Sequence, residues 1–400
     1  MAKLIDITGK VLSGEWGTDD ETGNGIPVLR TTNFTNEGII DYSDVVTRKI
    51  VKKSIEEKYL RNGDIIIEKS GGSDKQPVGR VVYFDGPEDT YLFNNFTGLL
   101  RVKNRKKWHP RYVFYSLFSN YRSGGTCAFQ NKTTGLHNLK TDDYISSFNV
   151  SEIDITTQKI ICKKLDFVKS VITMRQQQLQ KLDNLIKARF VEMFGDPKDN
   201  PYEWEEVNIS EVVGGKVSNG FFAKRDEYTD DGNISVLGVA NIVNRMYSKI
   251  DNLPRTNAND KDIEKFEVKY GDMLFCRSSL VAEGIGKASI VPENVQEKVL
   301  FECHVIRLPL NLNKCVPEYM QLLSTTDYFR TQVISHSKTA TMTTIGQDGI
   351  LSTSIILPPI DKQREFYCFI KQVDKSKLAV QKSLEKTQQL FDSLMQEYFG

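Results

Sequence analysis

The chain has 400 residues, 39% of them hydrophobic and 26% charged, with 53 Lys and Arg against 52 Asp and Glu for a net charge of +1. This balance excludes a disordered or fibrous chain and leaves room for two or three domains with their own cores. It also excludes a nucleic-acid partner held by overall basicity, so any DNA-binding surface must come from segregated charge. The opening MAKLIDITGK lacks the roughly 7 to 15 apolar residues of a signal peptide, and no run approaches the ~20 that cross a bilayer, which predicts a cytoplasmic protein. Cys127, Cys162, Cys276, Cys303, Cys315 and Cys368 form no C-x-x-C pair and no Cys/His cluster at zinc spacing. Reduced thiols are therefore expected, with no structural metal and no cofactor.

Along the chain, β-branched and aromatic runs bounded by Gly, Asn and Asp predict short strands at DIII (64–67), GRVVYF (79–84) and TGLLRV (97–102). His109-Pro110 places proline where a first helical turn accepts it, and Val113, Phe114, Leu117, Phe118 and Tyr121 then form one core-facing stripe. From Gln158 to Phe194 there is neither Gly nor Pro. Over that stretch Ile161, Leu165, Val168, Ile172, Arg175, Leu179, Leu182 and Ile186 keep the 4-3 spacing of a heptad seam. A helix of about 50 Å is predicted at 1.5 Å per residue. Further strands are expected at ISVLGV (234–239), DMLF (272–275), ASIV (288–291) and CHVIRL (303–308), and a helix after Val316-Pro317. The chain closes on a second heptad seam of Phe366, Ile370, Val373, Lys377, Val380, Leu384, Thr387 and Phe391.

The two halves are copies. At a shift of 205 to 208 residues, IPVLRTTNF (26–34) lies over ISVLGVANI (234–242), GDIII over GDMLF, VGR over IGK, and HPRYVFYSL over VPEYMQLLS. FVEMFG (190–195) matches the closing MQEYFG (395–400), and Gln158 and Gln363 each stand 37 residues before the final glycine of their copy. A repeat of about 200 residues is a duplicated domain and too long for a solenoid unit. Two helices with matching seams, each unable to bury its stripe alone, are expected to pack on each other as a pseudo-two-fold antiparallel pair with a globular domain at either end. Arg175 and Lys377 interrupt the seams, either fixing register or snorkelling to the surface.

The segment QKLDNLIKARFVEMFGDPKDNPYEW (180–204), which ends a heptad helix and opens a second copy, resembles the specificity subunit of type I restriction-modification enzymes. The resemblance covers the whole chain. It implies an α+β protein with target-recognition domains at 1–157 and 196–362 and spacer helices at 158–195 and 363–400. That is two tandem pseudo-symmetric α/β target-recognition domains separated by a long antiparallel two-helix coiled coil. It further implies a subunit that is not itself an enzyme and that reads a bipartite, asymmetric site on double-stranded DNA, one half per domain. The helix pair would act as ruler and dock two methyltransferase subunits, which nuclease/translocase subunits join in the full complex. A rod of about 50 Å would separate half-site centres by roughly 15 base pairs.

Three regions are candidate DNA contacts. The run RVKNRKKWHPR (101–111), with Arg101, Lys103 and Arg105 and with Trp108 among its basic residues, is suited to phosphates, or is a solvated turn before the helix. Next are the polar loops after the Gly-Asp strands: Lys69, Ser70, Lys75, Gln76 and Arg80 in the first half, and Arg277, Ser278 and Lys287 in the second. Third are 121–135, with Arg122, Gln130, Asn131 and Lys132, and 335–346, with His336, Lys338 and Thr339, residue types that can read base edges.

Catalytic motifs fail on inspection. EGIGKAS (283–289) would need Gly at Val281 and Ser or Thr at Ala288 to be a phosphate loop. DNPYEW (199–204) lacks the second proline of an amino-methyltransferase site, and in GDIIIEKS (63–70) Glu68 and Lys69 are adjacent where metal-dependent nucleases separate them by one residue. His109, His137, His304 and His336 have no partner at triad spacing. Two other readings stay open: a protein-interaction scaffold without DNA, and the specificity part of a fused single-chain restriction-modification enzyme.

Overall fold

The computed structural model describes residues 1–51, 55–133 and 136–400, and their side chains except those of Lys132 and Thr133. The chain forms two compact units, Met1–Gln176 with Lys382–Gly400, and Gln177–Gln381. The four-part division read from the sequence follows secondary structure. Each unit holds one globular part and a part of both long helices.

In the first unit the central antiparallel sheet has the order Leu12–Ser13, Thr97–Leu100, Ile65–Glu68, Val81–Tyr83. Ile65, Ile66 and Ile67 are all fully buried. Successive side chains of a strand point to opposite faces, and both faces here are covered: Ile65 and Ile67 join one core cluster, Ile66 another with Val82 and Leu99. A doubly covered strand needs no polar alternation, which is why DIII reads as a continuous apolar run. A second sheet carries Ile26–Leu29 parallel to Leu92–Phe93 and antiparallel to Val46–Lys49.

The second unit repeats this order as Ser218–Asn219, Val305–Pro309, Asp272–Cys276, Ala288–Ile290. Met273 and Phe275 face one cluster, Leu274 and Cys276 another. Ile234–Leu237 lies parallel to Val299–Phe301, as Ile26–Leu29 does to its partner. The turn after it is also repeated: Asn33 Oδ1 accepts the Arg30 N–H at 2.8 Å and Asn241 Oδ1 accepts the Gly238 N–H at 3.1 Å.

The proline-started helices are Pro110–Arg122 and Pro317–Ser324. Expectation and structure differ in how much of the first is covered. Every residue from Tyr112 to Phe118 is buried. The reason is a second packing face: Phe114 meets Tyr83 of the sheet, while Tyr112 and Tyr115 meet Phe399 of the closing helix.

The long helices are Ile155–Phe194 and Ile360–Phe399, 40 residues each. Each starts three residues before the predicted boundary. The first is capped by Asp154, whose Oδ1 accepts the N–H groups of Thr156 and Thr157 at 3.0 Å. It ends at Gly195 with φ +80°. In the first unit Ile161, Leu165, Val168 and Ile172 are buried in one cluster with Phe391 and Met395, and half-buried Leu384 packs against it. In the second, Ile186, Phe190 and Phe194 cluster with Phe366, Ile370 and Val373, and half-buried Leu182 packs against them. Start thus meets end in both units, so the two helices run in opposite directions. Val380 is buried, Leu179, Arg175 and Thr387 are half-buried, and Lys377 reaches across to Asp183 at 2.6 Å.

Candidate nucleic-acid interface

Each unit carries a small three-stranded antiparallel sheet at the exit of its central strand. In the first, Ser70–Gly72 pairs with Leu136–Leu139, which pairs with Gln130–Thr133. In the second, Ser278–Ser279 pairs with Thr343–Thr344, which pairs with Lys338–Thr339. The two polar loops that the sequence offers separately in each half are therefore one surface. Gly71, at φ +124°, gives the strand a backbone conformation that side chains resist.

On the first surface Ser70 and Asn138 are register partners. Gln130 Oε1 lies 3.0 Å from His137 Nδ1, and Asn131 and Lys75 are exposed. Gln76 meets Asn36 at 3.0 Å, and Lys69 donates to Ser13 Oγ at 2.6 Å. Burial, and after it the charge of Lys58, lowers the Lys69 pKa. Thr134, Gly135 and the Lys132 side chain, which belong to the same predicted loop, lie outside the described residues. On the second surface Lys338 and Thr339 are exposed, and Thr339 shares a 3.0 Å hydroxyl contact with Thr343. Arg277 donates to the Cys303 carbonyl at 3.2 Å, Lys287 to Asn244 Oδ1 at 2.8 Å, and His336 Nδ1 sits 2.9 Å from the Gly349 carbonyl.

Two arginines proposed as DNA contacts are instead committed inside the protein. Arg80 forks onto Glu68 through two contacts of 3.0 Å and also donates to the carbonyls of Phe34 and Thr31. Arg101 forks onto Asp64 at 2.8 and 2.6 Å and donates to the carbonyls of Glu57 and Tyr59. Asp64 and Glu68 are 0% and 2% exposed, so each carboxylate needs its arginine, and neither fork is open to a phosphate. The carboxylates bound opposite ends of the Ile65–Glu68 strand, which settles the Asp64/Glu68 question raised by GDIIIEKS as two ion pairs.

The remainder of the 101–111 run is also structural in part. Trp108 is 4% exposed and belongs to the core, which corrects its reading as part of a DNA-facing patch. Arg105 donates to the Asn62 carbonyl at 2.8 Å, Lys107 pairs with Glu152, and Arg111 pairs with Asp166 at 2.9 Å. Lys103 is exposed. Arg122 pairs with Asp392 of the closing helix at 2.9 Å. Apolar side chains also stand at the edge of the second surface: Leu280, Val281 and Met342 are exposed. Their signal is a hydrophobe standing in a Ser/Thr-rich loop.

A carboxyl raised by burial lies elsewhere in the second unit. Glu318, on the helix Pro317–Ser324, is 1% exposed between the hydroxyls of Tyr247 and Tyr270, and burial pushes its pKa up to about 7. Among the described residues no group of three or more His, Cys, Asp or Glu side chains could hold a metal ion, and no helix is long and apolar enough to cross a membrane.

Comparison with known proteins agrees with this architecture. Over 401 residues the chain is 24% identical to the type I restriction enzyme StySPI specificity subunit of Salmonella potsdam, spanning 94% of this chain and 81% of that protein. In fold it is similar to a solved chain from work on complex assembly and conformational transition of the type I R-M system, at TM-score 0.55 and 14% identity over 100% of this chain and 96% of the other. It is similar also to the type I restriction-modification S subunit from M. genitalium, at TM-score 0.55 and 12% identity over 100% of this chain and 95% of that one. Residues 2–184 and 201–390 each match the type I restriction modification DNA specificity domain, and the chain belongs to that family, carrying its domain twice.

Proposed function

We propose that this specificity subunit reads a split DNA target, one half-site per recognition domain, through the three-stranded surfaces at 70–72, 130–133 and 136–139 and at 278–279, 338–339 and 343–344. The observation that carries this is the recurrence of one loop platform, with two different sets of side chains, on two copies of the same sheet order. A duplicated scaffold with divergent tips suits an asymmetric bipartite site, whereas identical copies would read a palindrome. Exposed Lys75, Lys103 and Lys338 supply phosphate contacts, and Ser70, Asn131, Ser278 and Thr339 reach for base edges.

The paired long helices form the pseudo-symmetric coiled coil that sets the unread spacer. They also dock two methyltransferase subunits, with nuclease/translocase subunits completing the restriction complex. Chemistry belongs to those partners: this chain supplies the address, and the complex methylates adenine within it. Sequencing that reports base modification in cells with and without the gene tests the proposal. A discontinuous adenine-methylated motif that disappears on deletion is expected. Unchanged methylation in cells that express the methyltransferase refutes it.

A further inference from the structure

We infer that the second recognition domain reads thymine 5-methyl groups through an apolar tip formed by Leu280, Val281 and Met342. The inference rests on the proposed reading that this domain contacts one half of an adenine-methylated target. Ser279 is the register partner of Thr343, so residues 280–281 and 342 leave the same end of that strand pair. They are 83%, 58% and 36% exposed. Single exposed hydrophobes are ordinary on a soluble protein, but three leaving one end of a strand pair, from the two turns that meet there, place apolar surface that water disfavours.

The turn is built rather than loose. The Val281 N–H donates to Ser279 Oγ at 3.3 Å, the Gly284 N–H to the Val281 carbonyl at 3.1 Å, and Arg330 to the Glu283 carbonyl at 3.2 Å. Such a tip is held out before any ligand arrives, which lowers the ordering cost of binding. Exposed Lys338 on the same small sheet offers a phosphate contact beside the tip, and exposed Glu283 on the turn is a group that beside base edges accepts from cytosine N4.

In the major groove the thymine methyl is the one apolar group that base edges present, so an apolar tip amid hydroxyls has a specific partner there. The first domain makes the contrast. Its equivalent strand runs on into Ser73, Asp74 and Lys75, which are polar. Two copies of one platform thus present different chemistry to their half-sites.

The test uses the complex of this chain with its methyltransferase and the duplex identified by modification mapping. Each thymine is replaced in turn by uracil, which lacks only the methyl. An adenine-methylated half-site contains at least one such position. Removing a contacted methyl should weaken binding about 3- to 5-fold, the worth of one buried methyl. The L280A/V281A double variant should bind the thymine duplex more weakly by a similar factor and no longer distinguish it from the uracil duplex. Both side chains are solvent-exposed, so an unchanged melting temperature is expected alongside.

Wild-type complex that binds its target yet treats thymine and uracil alike throughout overturns the inference. So does a variant that keeps the discrimination, including one that instead loses the methyltransferase, which would make the tip a protein contact. Failure of the underlying reading looks different, since the wild-type complex would then prefer no duplex.

Discussion

Gln158 Oε1 accepts the backbone N–H of His109 at 2.8 Å, and Gln363 Oε1 accepts that of Val316 at 2.8 Å, the same bond made once in each unit. The Nε2 groups complete the match: Gln158 donates to the carbonyls of Lys107 and Ile153, Gln363 to those of Lys314 and Pro358. Both glutamines are fully buried. Each ties the first turn of a long helix to the residue preceding a proline-started helix, so domain and helix are joined by three directed bonds. Periodicity marks these positions only as polar residues in phase with a seam, three before its first apolar member.

Gln158→Ala and Gln363→Ala should therefore each cost about 2 to 3 kcal/mol, because each strands a buried N–H and two carbonyls. Urea unfolding of the two variants checks this, and a loss below about 0.5 kcal/mol at either position would contradict the shared role.

Arg101→Ala and Lys75→Ala separate scaffold from interface. Loss of Arg101 leaves the fully buried Asp64 carboxylate without its counter-charge, held only by the Arg61 N–H, and should destabilise the fold by about 3 to 5 kcal/mol. Loss of exposed Lys75 should leave the melting temperature unchanged while lowering DNA affinity and reducing the slope of log affinity against log salt by about 1. Thermal melts and a salt titration of the complex measure both.

The Glu318 carboxyl predicts a pH effect. Burial raises its folded pKa to about 7, above the ordinary 4.5, so the folded state favours the protonated acid. Its stabilising contribution is complete below pH 4.5 and is lost as pH rises through 7. Glu318→Gln, which stays neutral, should melt above the wild type at pH 8, with the gap closing by about pH 5. A gap independent of pH would show that the carboxyl charge is not responsible.

Gly195 sits at φ +80°, and a Cβ there would lie 2.4 Å from the Pro201 ring. The turn beyond it is held by Trp204 Nε1 donating to the Phe194 carbonyl at 3.0 Å. Gly195→Ala should cost about 2 kcal/mol or more through strain and displaced packing. Loss of native Trp fluorescence at lower urea than wild type reports it.

The helix pair proposed as the ruler can be lengthened. One heptad inserted after Val168 and another after Val373 preserves both seams and adds about 10 Å, or roughly 3 base pairs. Modification mapping should find the same half-sites farther apart. An unchanged spacer would remove the helices from that role.

Signals carried by neighbouring residues were legible in the sequence. Heptad spacing, prolines at 110 and 317 and the glycine at 195 delimit the helices, because helical period, φ restriction and left-handed turns are local properties of the chain. Apolar runs located the strands, and the constant shift between copies revealed the duplication. What only the tertiary structure decided is which distant groups meet. Residues 70–72, 130–133 and 136–139 pair into one surface, Arg101 turns inward to Asp64, and Trp108 enters the core. A basic side chain looks the same in sequence whether its partner is a phosphate or a buried carboxylate. The partner is set by strand pairings spanning dozens of residues, and burial then makes the choice binding, since a carboxylate removed from water holds its arginine far more firmly than an exposed one does.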